Sequence, residues 1–168
     1  MRALFLAIFG ALLMINSVSA QTAADDTESG LALPRMVSLR SNLINARSGP
    51  GARYPIEWVY RQKTAPVEII AEFELWRKIK DWEGSESWVH KSMLSGRRTV
   101  KMTAKGESNI YNNADYNSRV IAKVEDQVVG EVKKCPAGSD FCLIAFDSIE
   151  GWVPRRNFFG VYAKEAID

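Results

Sequence analysis

The chain has 168 residues, a formal net charge of +2 and two cysteines. A chain of this length folds as one ordinary domain or as two small ones. Nucleic-acid-binding proteins of this size usually carry a clear surplus of basic residues, so a charge this close to zero argues against nucleic acid as a partner.

The first 20 residues have the pattern of a secretory signal peptide. Arg2 precedes an apolar run from Ala3 to Ile15, and Val18-Ser19-Ala20 then supplies the small or slender residues of a cleavage site. The apolar run has about 13 residues, fewer than the ~20 that a helix needs to span a bilayer. We therefore predict a periplasmic or secreted protein that has no stable membrane anchor once the signal is cleaved.

Residues 21–33 are small and polar and offer little apolar surface to bury, so they are predicted to form a disordered spacer. From Pro34 to Gly96, short runs rich in β-branched and aromatic residues alternate with polar turns, without the apolar period of a helix. The short connections are typical of a meander of hairpins. The predicted strands are 36–40, 43–47, 56–60, 66–71, 75–81 and 86–90.

A shift of 64 residues places a second unit over the first. It brings Asn45 onto Asn109 and Trp88 onto Trp152. This period is too long for a solenoid repeat, so each copy must bury a core of its own. We predict two tandem all-β domains, residues 34–96 and residues 99–163, with a boundary around Ser95-Gly96-Arg97-Arg98-Thr99 where Gly96 ends the first unit.

A sequence motif in the first unit identifies a family resemblance. Asn45-x-Arg47-Ser48-Gly49-Pro50-Gly51-x-x-Tyr54-Pro55, followed by Trp76-x-x-Ile79 and Trp88-Val89, resembles the bacterial SH3-like (SH3b) domain. The wider pattern is similar to a tandem, exported proteobacterial subfamily that has no assigned activity. In the second copy, Tyr111-Asn112-Asn113-Ala114-Asp115 replaces Arg-Ser-Gly-Pro-Gly. The resemblance implies two small SH3-like β-barrels that serve as targeting modules, often for cell-wall material.

Cys135 and Cys142 flank a turn rich in Pro, Gly, Ser and Asp, between the strand-like runs 128–134 and 143–146. Opposed residues of an antiparallel pair have Cβ atoms about 4.5 to 5.5 Å apart, close to what a disulfide needs. The alternative is a redox-active pair, but such pairs usually occur as Cys-x-x-Cys at a helix N-terminus. We therefore predict a structural disulfide, as expected in an oxidising compartment.

The first unit holds four of the five tryptophans, and a barrel this small cannot bury all of them completely. Trp88 and Trp152 are predicted to close the two cores. A stripe of two aromatic and two cationic side chains on the face opposite Ile79 is predicted to point outward. Its members are Trp76, Lys78, Lys80 and Trp82.

This stripe is the first candidate for a ligand-binding surface. Aromatic faces bind sugars and prolines, and neighbouring cations hold carboxylates such as those of cell-wall peptide stems. The alternatives are a cross-strand packing patch or the surface on which the second unit docks. Arg47 and Tyr54 are secondary candidates by resemblance alone, because such loops wall the ligand groove of SH3-like folds. They could equally brace their own loop.

Two arginine pairs, Arg97-Arg98 and Arg155-Arg156, follow the last long strand of each copy. They are either recurrent loops that bind an anionic surface or solvated turn residues.

The residue types used in catalysis are scarce. His90 is the only histidine, and no Ser-His-Asp or Cys-His arrangement can be placed around it. One histidine is also too few for a usual zinc site. The acidic residues Asp81, Glu83 and Glu86 lie at a predicted turn, where solvated carboxylates are common. We expect no enzymatic activity, no metal and no cofactor.

The resulting hypothesis is non-catalytic recognition of peptidoglycan or of a periplasmic partner protein through the aromatic and cationic face. A structural or assembly subunit of an envelope complex, with no small ligand, is the alternative. A role as an enzyme accessory would require a separate catalytic chain.

Overall fold

The computed structural model describes residues 27–168, so the predicted signal peptide and the first residues of the predicted spacer lie outside the described residues. Residues 27–33 contain turns but no strand. Ser29 donates to the Glu72 carboxylate from its backbone amide, over 2.9 Å, and from its hydroxyl, over 2.7 Å. This end of the spacer segment is therefore attached to the first barrel. Among residues 27–168, no helix combines the length and apolar character that a membrane crossing requires.

Residues 27–168 form two seven-stranded antiparallel sheets in succession, which confirms the predicted all-β tandem. A short 3-10 turn, Lys91–Met93 or Arg155–Asn157, precedes the last strand of each sheet. The first sheet contains β1 (Arg35–Leu39), β2 (Ile44–Arg47), β3 (Ile56–Tyr60), β4 (Pro66–Phe73), β5 (Trp76–Lys80), β6 (Glu86–His90) and β7 (Leu94–Ser95). The second contains β8 (Thr99–Met102), β9 (Ser108–Tyr111), β10 (Val120–Val124), β11 (Val129–Lys134), β12 (Phe141–Phe146), β13 (Ile149–Pro154) and β14 (Phe158–Phe159).

The two sheets have the same topology. Their strand orders are β3-β2-β6-β5-β4-β1-β7 and β10-β9-β13-β12-β11-β8-β14, which become identical when seven is added to each number of the first. The repeat of 64 residues in the sequence is therefore a repeat of the fold. Each unit is a small SH3-like barrel with its own buried apolar cluster.

The orientation of Trp88 and Trp152 corrects the sequence prediction. Both side chains are only half-buried and lie outside the two core clusters, so the prediction that they close the cores is wrong. Val89 and Val153, the residues that follow them, are fully buried. Because successive residues of a strand point to opposite faces, burying these valines turns both tryptophans to the outer face.

The predicted disulfide between Cys135 and Cys142 is present, with an S–S distance of 2.04 Å, and both residues are fully buried. It joins the chain just after β11 to the second residue of β12. The backbone of Cys135 also exchanges two hydrogen bonds with Ile167, of 2.7 and 2.9 Å. The disulfide region therefore also holds the C-terminal segment against the second barrel.

The two barrels are in direct contact. The Thr99 hydroxyl donates to the carbonyl of Thr64 over 2.6 Å, and the Tyr162 hydroxyl donates to Glu68 Oε1 over 2.8 Å. At Gly160, where φ is +125°, an added Cβ would collide with the carbonyl of Thr99. Thr99 belongs to the same barrel, so this glycine lets the chain pass close to β8, and the same Cβ would lie 3.1 Å from Pro66 of the first barrel.

Candidate functional site

The predicted stripe on β5 is present only in part. Trp76, Lys78 and Lys80 are half-buried on the outer face of the strand, and Ile79 between them is fully buried in the core, as the alternation predicted. Trp82 lies beyond the end of β5, in a different environment.

The neighbouring strand β6 completes this outer face. Trp76 lies opposite His90, and their rings meet edge to face with centroids 5.6 Å apart. Lys78 lies opposite Trp88, and its Nζ is 2.5 Å from Glu86 Oε2. The hydrogen bond and the charge of Lys78 lower the pKa of Glu86. The face therefore presents aromatic rings beside a lysine that is already paired.

Trp82 belongs to the contact between the barrels rather than to this face. It packs against the first core, and its ring centroid lies 6.1 Å from that of Tyr60. The Nζ of Lys101, which comes from the second barrel, lies 3.7 Å from the Trp82 centroid and donates to Gln62 Oε1 over 2.6 Å. Burial lowers the pKa of Lys101, opposed by the charges of Glu83 and Asp81. Tryptophan is the strongest aromatic partner for such a cation.

Arg47 and Tyr54 brace the loop between β2 and β3. Arg47 Nη1 donates to the carbonyl of Tyr54 over 2.6 Å, which closes the loop from inside. A Cβ at Gly49 would overlap the Tyr54 ring, so the loop needs glycine at this position. Both residues therefore brace their own loop, which is the second of the two roles considered from the sequence. Arg47 also lies beside the outer face, because it pairs with Trp88.

The second barrel carries an aromatic cluster at the equivalent place. Tyr111 pairs with Trp152 as Arg47 pairs with Trp88. Ring centroids are 4.6 Å apart for Tyr116 and Phe141, 5.8 Å for Tyr111 and Phe141, and 6.2 Å for Tyr111 and Tyr116. The guanidinium carbon of Arg156 lies 5.0 Å from the Tyr116 centroid. A cleft of about 430 Å³ lies beside Tyr116 and Arg156.

Phe141 occupies the position of Trp76 in the repeat, since Phe141 pairs with Pro154 as Trp76 pairs with His90. We call the outer face of β5 and β6 in the first barrel, and the equivalent surface of the second barrel, the aromatic-basic faces. The first contains Trp76, Lys78, Lys80, Trp88 and His90. The second contains Tyr111, Tyr116, Trp152 and Arg156, and Tyr111 and Tyr116 pack on the ring of Phe141, which is only 3% exposed.

One arginine of each predicted pair is used to hold the fold. Arg155 donates to four backbone carbonyl oxygens, those of residues 136, 139, 162 and 165. Arg98 makes two hydrogen bonds, of 2.5 and 2.9 Å, to the carboxylate of Glu165, which lower its pKa. Arg97 and Arg156 are exposed. Only Arg156 adjoins an aromatic-basic face.

Residues 27–168 contain no group of three or more His, Cys, Asp or Glu side chains placed to hold a metal ion. His90 Nδ1 lies 2.7 Å from Ser92 Oγ, and both cysteines are committed to the disulfide.

Residues 40–96 match the family model described as the bacterial SH3 domain. Among solved structures, the chain is similar to NlpC1 from Trichomonas vaginalis, at 14% identity and a TM-score of 0.35, covering 76% of this chain and 46% of that one. It is also similar to NlpC2 from the same organism, at 16% identity and a TM-score of 0.33, covering 75% and 48%. The chain thus spans about half the length of these structures. No curated protein matches it.

Proposed function

We propose that the chain, whose residues 40–96 match the family model described as the bacterial SH3 domain, is a non-catalytic recognition module of the cell envelope that binds peptidoglycan. Its two aromatic-basic faces are the proposed contact surfaces. The disulfide supports a site of action outside the cytoplasm, because disulfides persist in oxidising compartments such as the periplasm.

One observation carries this proposal: both barrels have a cluster of aromatic rings on the corresponding outer face, with a cationic side chain beside it. In the first barrel the Trp76 ring is held by His90. In the second barrel the exposed ring is that of Tyr116, which is held against the buried Phe141. Rings that are already fixed lose little conformational entropy on binding. Sugar rings can stack on the exposed rings. Lys80 and Arg156, which have no ion pair within residues 27–168, suit the carboxylates of peptide stems.

A non-catalytic role is supported by how the reactive side chains are used. Neither cysteine is a free thiol, because both form the disulfide. The His90 ring lies between Trp76 and the Ser92 hydroxyl, in a local turn rather than in a deep cleft. Nucleophilic catalysis needs a nucleophile and a base held together beside a substrate site.

Sedimentation with purified sacculi tests the proposal. The wild-type protein should pellet, and Trp76→Ala should weaken binding about fivefold, since it removes a stacking surface worth about 1 kcal/mol. Leu43→Ala is the matched control, because Leu43 is 58% exposed but lies outside both faces. Wild-type protein that remains in the supernatant would contradict the proposal, and so would an equal loss in the control.

The contact between the barrels favours a second candidate, a rigid subunit of an envelope assembly. Lys101 on Trp82 and the hydrogen bonds of Thr99 and Tyr162 join the two units. In that case the wild-type protein would fail to pellet with sacculi. It would instead give discrete crosslinks to envelope proteins in intact cells.

A further inference from the structure

The first barrel has a small acidic cleft that the aromatic-basic face does not include. The cleft measures about 200 Å³ and lies between β3 and the turn that joins β5 to β6. Its aromatic wall is Trp58, whose side chain is 57% exposed and contacts Tyr60 edge to face at 6.5 Å. Drug-sized ligands occupy pockets of about 300 to 1,000 Å³, so this cleft is large enough for a side chain rather than a whole ligand.

The charged groups that line the cleft are all carboxylates, those of Glu57, Asp81, Glu83 and Glu86. Asp81 is already satisfied, because it accepts hydrogen bonds from the Tyr60 hydroxyl and from the backbone amides of Glu83 and Ser85. Burial, followed by the charge of Asp81, raises the pKa of Tyr60, so this phenol stays protonated and remains a donor.

Three cations act on these carboxylates from outside the cleft. Lys78 forms an ion pair with Glu86, and the charge of Lys80 also acts on Glu86. Lys101, from the second barrel, interacts electrostatically with Asp81 and Glu83. Within residues 27–168, neither Glu57 nor Glu83 has a side-chain ion pair. Two carboxylates therefore remain available beside an exposed indole.

A buried hydroxyl in the wall has no hydrogen-bond donor directed at it. Ser87 is only 6% exposed and lines the cleft, and its hydroxyl makes no hydrogen bond of ordinary length among the described residues. Burial raises the pKa of the neighbouring Tyr60 phenol and the Ser87 hydroxyl opposes this rise, but the phenol donates its own proton to Asp81 and leaves the Ser87 oxygen without a donor. A buried hydroxyl left unpaired costs free energy, and a ligand that donates a hydrogen bond to it would remove that cost. This group is independent of the acidic cluster and favours a ligand with N–H donors.

The equivalent place in the second barrel is filled. The strand pairings show that Gly151 of the second barrel takes the position of Ser87. They also show that Ile121 takes the position of Glu57 and that Ala122 takes the position of Trp58. A Cβ added at Gly151 would overlap Ile110 and lie 3.0 Å from Ile121. Ile121 packs against the second core. The acidic lining and the open space are therefore properties of the first barrel and do not come with the repeated fold.

We propose that the cleft binds a primary ammonium group at the end of an aliphatic chain, as in lysine or another diamino acid within a peptide. The aliphatic part would lie on the Trp58 ring. The ammonium would interact with the carboxylates of Glu57 and Glu83 and donate to the Ser87 hydroxyl. A compact cation with three N–H donors matches these acceptors, and the ring face adds a cation–π attraction. This site does not depend on the proposed role of the aromatic-basic faces.

The test is an NMR titration of the intact two-barrel protein with Nα-acetyl-lysine amide. The indole N–H of Trp58 and the backbone amide of Ser87 should shift, while Nα-acetyl-norleucine amide, which lacks the ammonium, should leave both unchanged. Glu57→Gln and Glu83→Gln should each weaken binding about two- to fivefold, the range for one exposed ion pair. Glu125→Gln is the matched control, because Glu125 is an exposed carboxylate of the second barrel.

Equal shifts with the neutral analogue would overturn the proposal, as would lysine-amide shifts that avoid Trp58 and Ser87. Binding that is unchanged in both glutamine variants would also overturn it.

Two further probes identify the source of the ammonium: a soluble stem peptide that contains a diamino acid, and an unrelated peptide that contains lysine. Tighter binding of the stem peptide would assign the site to the cell wall, and equal binding would assign it to lysine side chains in general. If the protein binds the lysine amide but does not pellet with sacculi, the proposed function is wrong and the ammonium site is still supported.

Discussion

Substitution of Glu72 by glutamine perturbs the most enclosed ion-pair network described in the first barrel. The Glu72 side chain is 2% exposed and lies 2.5 Å from Arg35 Nη2 and 3.1 Å from Arg77 Nε. The amide and hydroxyl of Ser29 add two more hydrogen bonds. One carboxylate therefore joins β4 to β1, to β5 and to the segment before the first strand.

The cost of Glu72→Gln follows from the charges left behind. Glutamine keeps the shape but removes the negative charge, and the Arg77 side chain, 7% exposed, would stay buried without an ionic partner. Loss of one partner of a buried pair costs about 3 to 5 kcal/mol. The Arg35 side chain is 19% exposed and can be partly hydrated, which places the expected loss near the lower end, at about 3 kcal/mol.

Urea unfolding at pH 7 measures this loss. Glu107→Gln is the control, because Glu107 pairs with Lys123 at 2.9 Å while both side chains are 57% exposed. Exposed pairs contribute little, so the control should lower the free energy of unfolding by less than about 1 kcal/mol. A loss for Glu72→Gln no larger than that of the control would refute the reasoning.

The stability difference between wild type and Glu72→Gln should depend on pH. Burial by itself would raise the pKa of Glu72, but the hydrogen bonds from Arg35 and Ser29 outweigh it and lower the pKa to about 2. The folded value lies below the ordinary value of 4.5, so the stabilisation by Glu72 is complete above pH 4.5 and is lost as the pH falls toward 2. The stability difference between wild type and Glu72→Gln should narrow over that range.

Two further substitutions test the second barrel and the contact between barrels. Replacing Cys135 and Cys142 together by alanine opens a loop with a sequence separation of 7 and should lower the stability of the second barrel by about 2.5 kcal/mol. Urea unfolding that shows no loss would contradict the structural role of the disulfide. Lys101→Ala removes a cation–π contact with Trp82 worth about 1 to 2 kcal/mol, so the two barrels should unfold in separate calorimetric transitions. A single transition that matches wild type would contradict this coupling.

Local sequence patterns were sufficient to predict the strands and the repeat. The predicted runs 56–60 and 86–90 coincide with β3 and β6. Polar turns and apolar alternation define such short strands without reference to distant contacts. The disulfide was predictable for the same reason, because both cysteines flank one hairpin turn.

The directions of the tryptophans were harder to predict. In β6, Ser87 and Val89 point inward and Trp88 points outward, although hydrophobicity alone favours the larger residue inside. A shift of one residue exchanges the two faces of a strand, and composition does not decide between them. The environment of Trp82 could not be predicted from its local sequence either, because the Lys101 that covers it belongs to the other barrel.

The acidic cleft was not predicted from the sequence, because Glu57 and Glu83 come together only when β3 meets the β5–β6 turn.

The central claim is that both aromatic-basic faces contact peptidoglycan, and NMR titration of the intact protein with soluble peptidoglycan fragments tests it most directly. The claim predicts shifts of Trp76 and His90 side-chain signals in the first barrel and of Tyr116 and Trp152 signals in the second. The amide of Leu43, outside both faces, should not move. Saturating fragments that shift none of these four side chains, or that shift only residues elsewhere, would contradict the claim.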